Sequence, residues 1–141
     1  MTDQILQEPS SKDEMDIQAL IQRWARAVRE EDRLGIRADH DPEMLMFDVP
    51  PPLLSRGVDA YMATWEKFFL SWSERPVAFD FHDVKITAGT DVAFATAIGK
   101  CAGVDSNGKR EEFEFRLTMG LRKIDGVWRV VHEHHSLPAT Q

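Results

Sequence analysis

Cysteine is almost missing from this chain. Cys101 stands alone, so no internal disulfide can form. A cytoplasmic setting fits that count. Basic residues are in deficit: 17 Lys and Arg stand against 24 Asp and Glu, a formal charge of -7. That balance speaks against nucleic acid or an anionic membrane as partner, because both reward basic patches. It leaves a small organic ligand open. No apolar run approaches the roughly 20 residues needed to cross a bilayer. Met1 to Glu14 is polar and acidic, without the apolar core of a secretion signal. Internal repeats and low-complexity tracts are also missing.

What is present is 43% hydrophobic residues in a chain of 141, enough for one domain around one core. The expected division is a flexible tail over residues 1–11 and a single domain over 12–141. Ser11 followed by Glu14 is a capping box. Ile17, Leu20, Ile21, Trp24 and Val28 then recur at helical spacing, which predicts a helix to about Glu31. A short helix is expected around Asp32 to Ala38. Met44–Val49 reads as a short strand, stopped by Pro50-Pro51-Pro52, and Leu53–Arg56 as its return. Gly57 opens a second long helix carrying Tyr61, Trp65, Phe68, Phe69 and Trp72 on one stripe, closed by Pro76.

The remainder alternates as sheet. Val77, Phe79 and Phe81 share one parity, and Val84 and Ile86 the other, so a bulge is expected near His82-Asp83. Asn107-Gly108 and Asp125-Gly126 are hairpin turns. Helices first and three long antiparallel pairings after them make an α+β pattern, a curved sheet wrapped on a long N-terminal helix.

The last strand ends in Val131-His132-Glu133-His134-His135-Ser136. Polar groups set into a buried strand are costly unless paired or functional, so this segment is the best pointer to a site. Two-residue turns would set Arg116 opposite His135 and Thr118 opposite Glu133. They would also set Arg116 opposite Gly99. One face then gathers Arg116, Thr118, Glu133 and His135 among small residues. The other carries Phe94, Ile98, Phe115, Leu117, Met119, Trp128, Val130, His132 and His134. A bulge in the last strand would swap the histidines.

His132-x-His134 places two imidazoles on one strand face. A metal would need further ligands, for which only His40, Asp41 and His82 are available. The reading adopted is no metal and no cofactor, with the histidines hydrogen-bonded in the core or at an interface. Cys101, among small residues, reads as inert packing.

The segments Phe47-Asp48-Val49-Pro50-Pro51-Pro52-Leu53 and Trp128-x-Val130-Val131-His132-Glu133-His134-His135-Ser136 resemble the SnoaL-like and ketosteroid-isomerase-like branch of the nuclear transport factor two superfamily. The resemblance spans about residues 12–138. It implies a cone-shaped roll with a mostly antiparallel sheet, a deep pocket, and commonly a homodimer through the outer sheet face. In ketosteroid isomerases a carboxylate at the place of Asp48 shuttles the proton. Where those enzymes carry a phenol in the first helix, this chain has Trp24. In limonene-epoxide-hydrolase-like members an Arg-x-Asp pair faces an Asp on the last strand; here Arg116-x-Thr118 faces Glu133.

The site expected from these readings has Asp48, Arg116, Glu133 and His135 as catalytic groups. Trp24, Tyr61, Trp65, Thr118, His132 and His134 would line the pocket. Asp48 would act as acid and base in an apolar pocket, while Arg116 with Glu133 and His135 holds developing negative charge. The bland counterparts are a loop cap at Asp48 and a surface ion pair at Arg116. The expected function is a cofactor-independent isomerase or cyclase acting on a small hydrophobic or carboxylate-bearing molecule. The alternative is a non-catalytic ligand-binding or homo-oligomerisation module.

Overall fold

In a computed structural model of the protein, residues 11–140 are described. The expected tail over residues 1–11 lies outside them except for Ser11. Helix α1 (Lys12–Arg29) starts where its capping box demands: the Ser11 hydroxyl accepts from the Glu14 amide, and the Glu14 carboxylate accepts from the Ser11 amide. Its apolar stripe, Ile17, Leu20, Ile21, Trp24 and Val28, is buried. A short helix α2 (Arg33–Ala38) follows, capped by Asp32.

Strand β1 (His40–Phe47) begins four residues earlier than its apolar run predicts. Pro42 and the acidic Asp41 and Glu43 disguise its start, and the register with the last strand shifts between His40 and Leu45. Strand β2 (Ser55–Arg56) is a two-residue return. Gly57, at φ +91°, turns the chain into α3 (Val58–Leu70). Trp72 lies just past that helix, its backbone bridged to Asp105.

The long strands are β3 (Ala78–Ala88), β4 (Val92–Val104), β5 (Arg110–Ile124) and β6 (Val127–Ser136). One six-stranded sheet runs in the order β2-β1-β6-β5-β4-β3. All neighbours are antiparallel except β1 and β6. The β3 register shifts between His82 and Lys85, with Asp83 at φ +53°, where the parity change placed a bulge. The fold is α+β, with α1 laid on the concave face of the curved sheet. Trp24 stacks on Phe81 and meets Phe79 edge-on.

Two registers differ from the tight-turn expectation. At Asn107-Gly108 the loop holds three residues, because the Asp105 side chain accepts from the Asn107 and Lys109 amides and Asp105 itself pairs with Lys109. Gly108 takes φ +79° to complete it. Arg116 therefore faces Ile98 rather than Gly99, and Thr118 faces Thr96. In β6 the ladder matches the two-residue turn from Ile124↔Val127 to Leu121↔Val130. It then slips one residue, so that Gly120 faces His132 and Leu117 faces His135.

The two slips cancel for the end of β6. Glu133 and His135 still share the concave face with Ala95, Ala97 and Gly99, while Arg116 and Thr118 turn outward. Phe94 and Ile98 also face outward, opposite in sense to Leu117 and Met119. The small concave face of β4 is filled by rings from its neighbours. A Cβ on Gly99 would lie 2.3 Å from the Phe115 ring, and one on Gly103 would lie 2.7 Å from Trp72. No helix among the described residues is long and apolar enough to cross a membrane.

Candidate functional site

Glu133 has no exposed surface, yet it stands in the middle of the core. A buried carboxylate is tolerable only with partners on its lone pairs. It has three. His40 on β1 and the Tyr61 hydroxyl on α3 (2.9 Å) meet Oε2, and His135 Nε2 meets Oε1 at 2.9 Å. The Trp24 indole donates to the Tyr61 oxygen at 3.0 Å and completes the inner shell. Since a carboxylate only accepts, both imidazoles present Nε2–H to it. His40 Nδ1 is left buried without a hydrogen-bond partner among the described residues.

His135 carries the network outward. Its Nδ1 stands 3.4 Å from Asp48 Oδ1. Asp48 lies two residues beyond Met46, on the inward parity of β1, and the Val49 amide donates to the same Oδ1 at 2.8 Å. Oδ2 has no protein hydrogen bond among the described residues.

These environments set the protonation states. Burial alone would raise the Glu133 carboxyl; the attraction of His40 and the hydrogen bonds from His135 and His40 outweigh it and hold it at about 2. Burial would lower His135; the hydrogen bonds and charges of Asp48 and Glu133 reverse that and lift it to about 9. Burial, then the charge of Glu133, keeps the Tyr61 hydroxyl well above the ordinary phenol range, so it remains a donor. At neutral pH an imidazolium thus bridges a buried carboxylate and one at the surface of a cavity.

That cavity has a volume of about 400 Å³, within the range of about 300–1,000 Å³ common for small-molecule sites. Asp48 and His135 stand at one end. Trp65, Phe68, Phe79 and Phe115 form apolar walls, and Pro50, Pro51 and Pro52 form a rim. Cys101 also touches it, but burial pushes its thiol up to about 12, so it is no nucleophile at neutral pH.

Among the residues singled out from the sequence, Asp48, His135 and Trp65 line the cavity. Glu133, Tyr61 and Trp24 stand behind His135 as its buried support. Arg116 does not belong: it is exposed on the outer face and binds the Ser136 hydroxyl at 3.0 Å. Thr118 is exposed on that face too. His134 is exposed outward, and His132 bonds the Leu45 carbonyl at 2.8 Å. The extra residue in the β4–β5 loop and the slip in β6 together flip β5 alone, which accounts for Arg116 and Thr118; His132 and His134 lie opposite Glu133 and His135 in either register, on the face away from the cavity. His40 escaped notice as a member because Pro42 hides its strand; its spacing to the inward Met44 and Met46 was the available signal. No cluster of three or more metal-ligating side chains occurs among the described residues.

The model of the SnoaL-like domain matches residues 17–140, and the chain belongs to that family. It is similar to a nuclear transport factor 2-like protein of unknown function from Pseudomonas putida, at 32% identity over 93% of this chain and 90% of that one, with a TM-score of 0.82. A nuclear transport factor 2-like superfamily protein from Salmonella enterica shares the fold at 22% identity, covering 90% of this chain and 92% of that one, TM-score 0.76. So does an uncharacterised protein with a cystatin-like fold from Caulobacter vibrioides, at 20% identity, 92% of each chain and TM-score 0.77. Among curated proteins nothing matches.

Proposed function

We propose that the cavity binds a small hydrophobic carbonyl compound and that Asp48 and His135 catalyse proton transfer on it, as an isomerase, cyclase or lyase would. The observation that carries this reading is the Asp48–His135–Glu133 chain, which runs from an open apolar cavity to a fully buried carboxylate. Asp48 takes a proton from the carbon next to the carbonyl at Oδ2, the oxygen without a hydrogen bond among the described residues. His135, protonated and held by Glu133 through Nε2, turns its Nδ1–H from Asp48 to the enolate oxygen as the Asp48 carboxylate takes up the proton and loses its charge. The proton on Asp48 then returns to a different atom. No cofactor enters these steps. Arg116, expected to hold the charge, is replaced in that role by the His135 imidazolium.

A generic carbon acid tests this. Deuterium uptake by 2-tetralone in D2O, followed by proton NMR, should exceed the buffer rate. It should fall about 10²–10⁴-fold in Asp48→Asn, and stay unchanged in Arg116→Ala. An Asp48→Asn protein that exchanges as fast as wild type would overturn the reading.

A second copy of the chain is the partner we infer for the outer sheet face. Val92, Phe94 and Val127 are exposed there, beside the outward His134. Sedimentation of wild type as a dimer and of Phe94→Glu as a monomer is the expected result.

A further inference from the structure

The cavity has two chemically different ends. Its inner end is acidic: Asp48 lies at the surface and Glu133 directly behind His135. Both carboxylates flank the imidazole, so a ligand anion placed there would meet Asp48 at contact distance. The other charged residue lining the cavity is Lys67, on α3. Helical rise puts Lys67 about 9 Å along that axis from Tyr61, whose hydroxyl touches Glu133. On the sheet side, Phe113 also lines the cavity, four residues along β5 from Leu117, the partner of His135. That is about 14 Å at strand rise. Lys67 forms no ion pair among the described residues, although Glu66 beside it is paired with Arg33. The chain as a whole is acidic, so an unpaired lysine is the element of this cavity that favours an anion. Between the two ends stand aromatic rings: Trp65, Phe68, Phe79 and Phe115.

We infer that the ligand is an elongated aromatic carboxylate, its carboxylate held by Lys67 at the outer end and its reactive group delivered to Asp48 and His135. The rings clasp a flat apolar body, Lys67 fixes which end enters first, and Asp48 rejects the reversed orientation. The orientation rests on the acid–base reading above; the charge preference does not.

Isothermal titration with 2-naphthoate and its neutral isostere 2-naphthamide tests this. Wild type should bind the acid ~5-fold or more tightly than the amide at low salt. Lys67→Met should erase that preference while binding the amide as before, and Lys67→Arg should keep it. Circular dichroism of each variant checks folding, which an exposed helical position should not disturb. Asp48→Asn should leave the dependence on Lys67 intact. Equal binding of acid and amide by wild type would overturn the inference, as would failure of both to bind. So would an acid preference that survives Lys67→Met but changes sharply in Asp48→Asn, because the carboxylate would then lie against His135. A protein that prefers the acid through Lys67 yet exchanges no deuterium into 2-tetralone would keep this inference and lose the acid–base one.

Discussion

The two faces of the sheet carry similar side chains with opposite consequences. On the concave face, Glu133 and His135 are buried, fully partnered and strongly shifted in protonation. On the outer face, Arg116, Thr118 and His134 are exposed, and one residue of register is all that separates the two groups. A polar side chain on a strand acquires chemistry from the face it lands on. The desolvated face makes each hydrogen bond obligatory and each charge consequential, whereas the wet face screens both.

The comparison is broken most severely by removing its buried anchor. Glu133→Ala leaves His40, Tyr61 and His135 facing a void, and should cost about 3–5 kcal/mol in urea unfolding. His134→Ala, next in sequence but on the outer face, should stay within about 0.5 kcal/mol. Comparable losses in the two variants would contradict the burial contrast.

A pH series sharpens the same contrast. The Glu133 carboxyl is lowered on folding, so its contribution is present above the unfolded value of about 4.3 and is lost as pH falls toward about 2. The His135 imidazole is raised on folding. Its contribution is full below the unfolded value of about 6.5 and disappears as pH rises toward about 9. The alkaline decline should be on the order of 3 kcal/mol, and His135→Gln should flatten it. The attraction between the two residues enters both arms, so the arms are not additive. A wild-type stability that does not change between pH 6.5 and 9 would argue against a charged His135.

A smaller effect is expected where the cavity wall is built. Gly99→Ala puts a methyl group against the Phe115 ring, and displacing that ring should cost about 1–3 kcal/mol. Naphthoate affinity should fall with it. Ala97→Gly, two pairings away from that ring, should leave the affinity unchanged.

Local signals were legible wherever one residue pair decides the geometry. The Ser11–Glu14 box set the start of α1, and the parity change at His82-Asp83 marked the bulge. Asp48 stood out as a carboxylate between Phe47 and Val49, and Glu133 and His135 as ionisable groups at the end of a strand that starts apolar; the structure brings the three side chains together. Arg116 was misplaced because pairing register accumulates through turns. Asp105 folds its side chain into the loop and lengthens it by one residue, which the Asn107-Gly108 pair does not announce. The slip after Val130 has no turn residue to mark it. The role of His40 was hidden for a different reason. It is paired with Glu133 across 93 positions of sequence, and nothing in its local context shows that its strand lies beside the last one.

The most direct measurement is nitrogen-15 NMR of the imidazoles across pH 5–10. One histidine, absent from the His135→Gln spectrum, should remain doubly protonated at pH 7 and lose its proton near pH 9. In Glu133→Gln the same signal should titrate lower. A His135 signal already neutral at pH 7 would remove the imidazolium from the cavity and contradict the role proposed for His135.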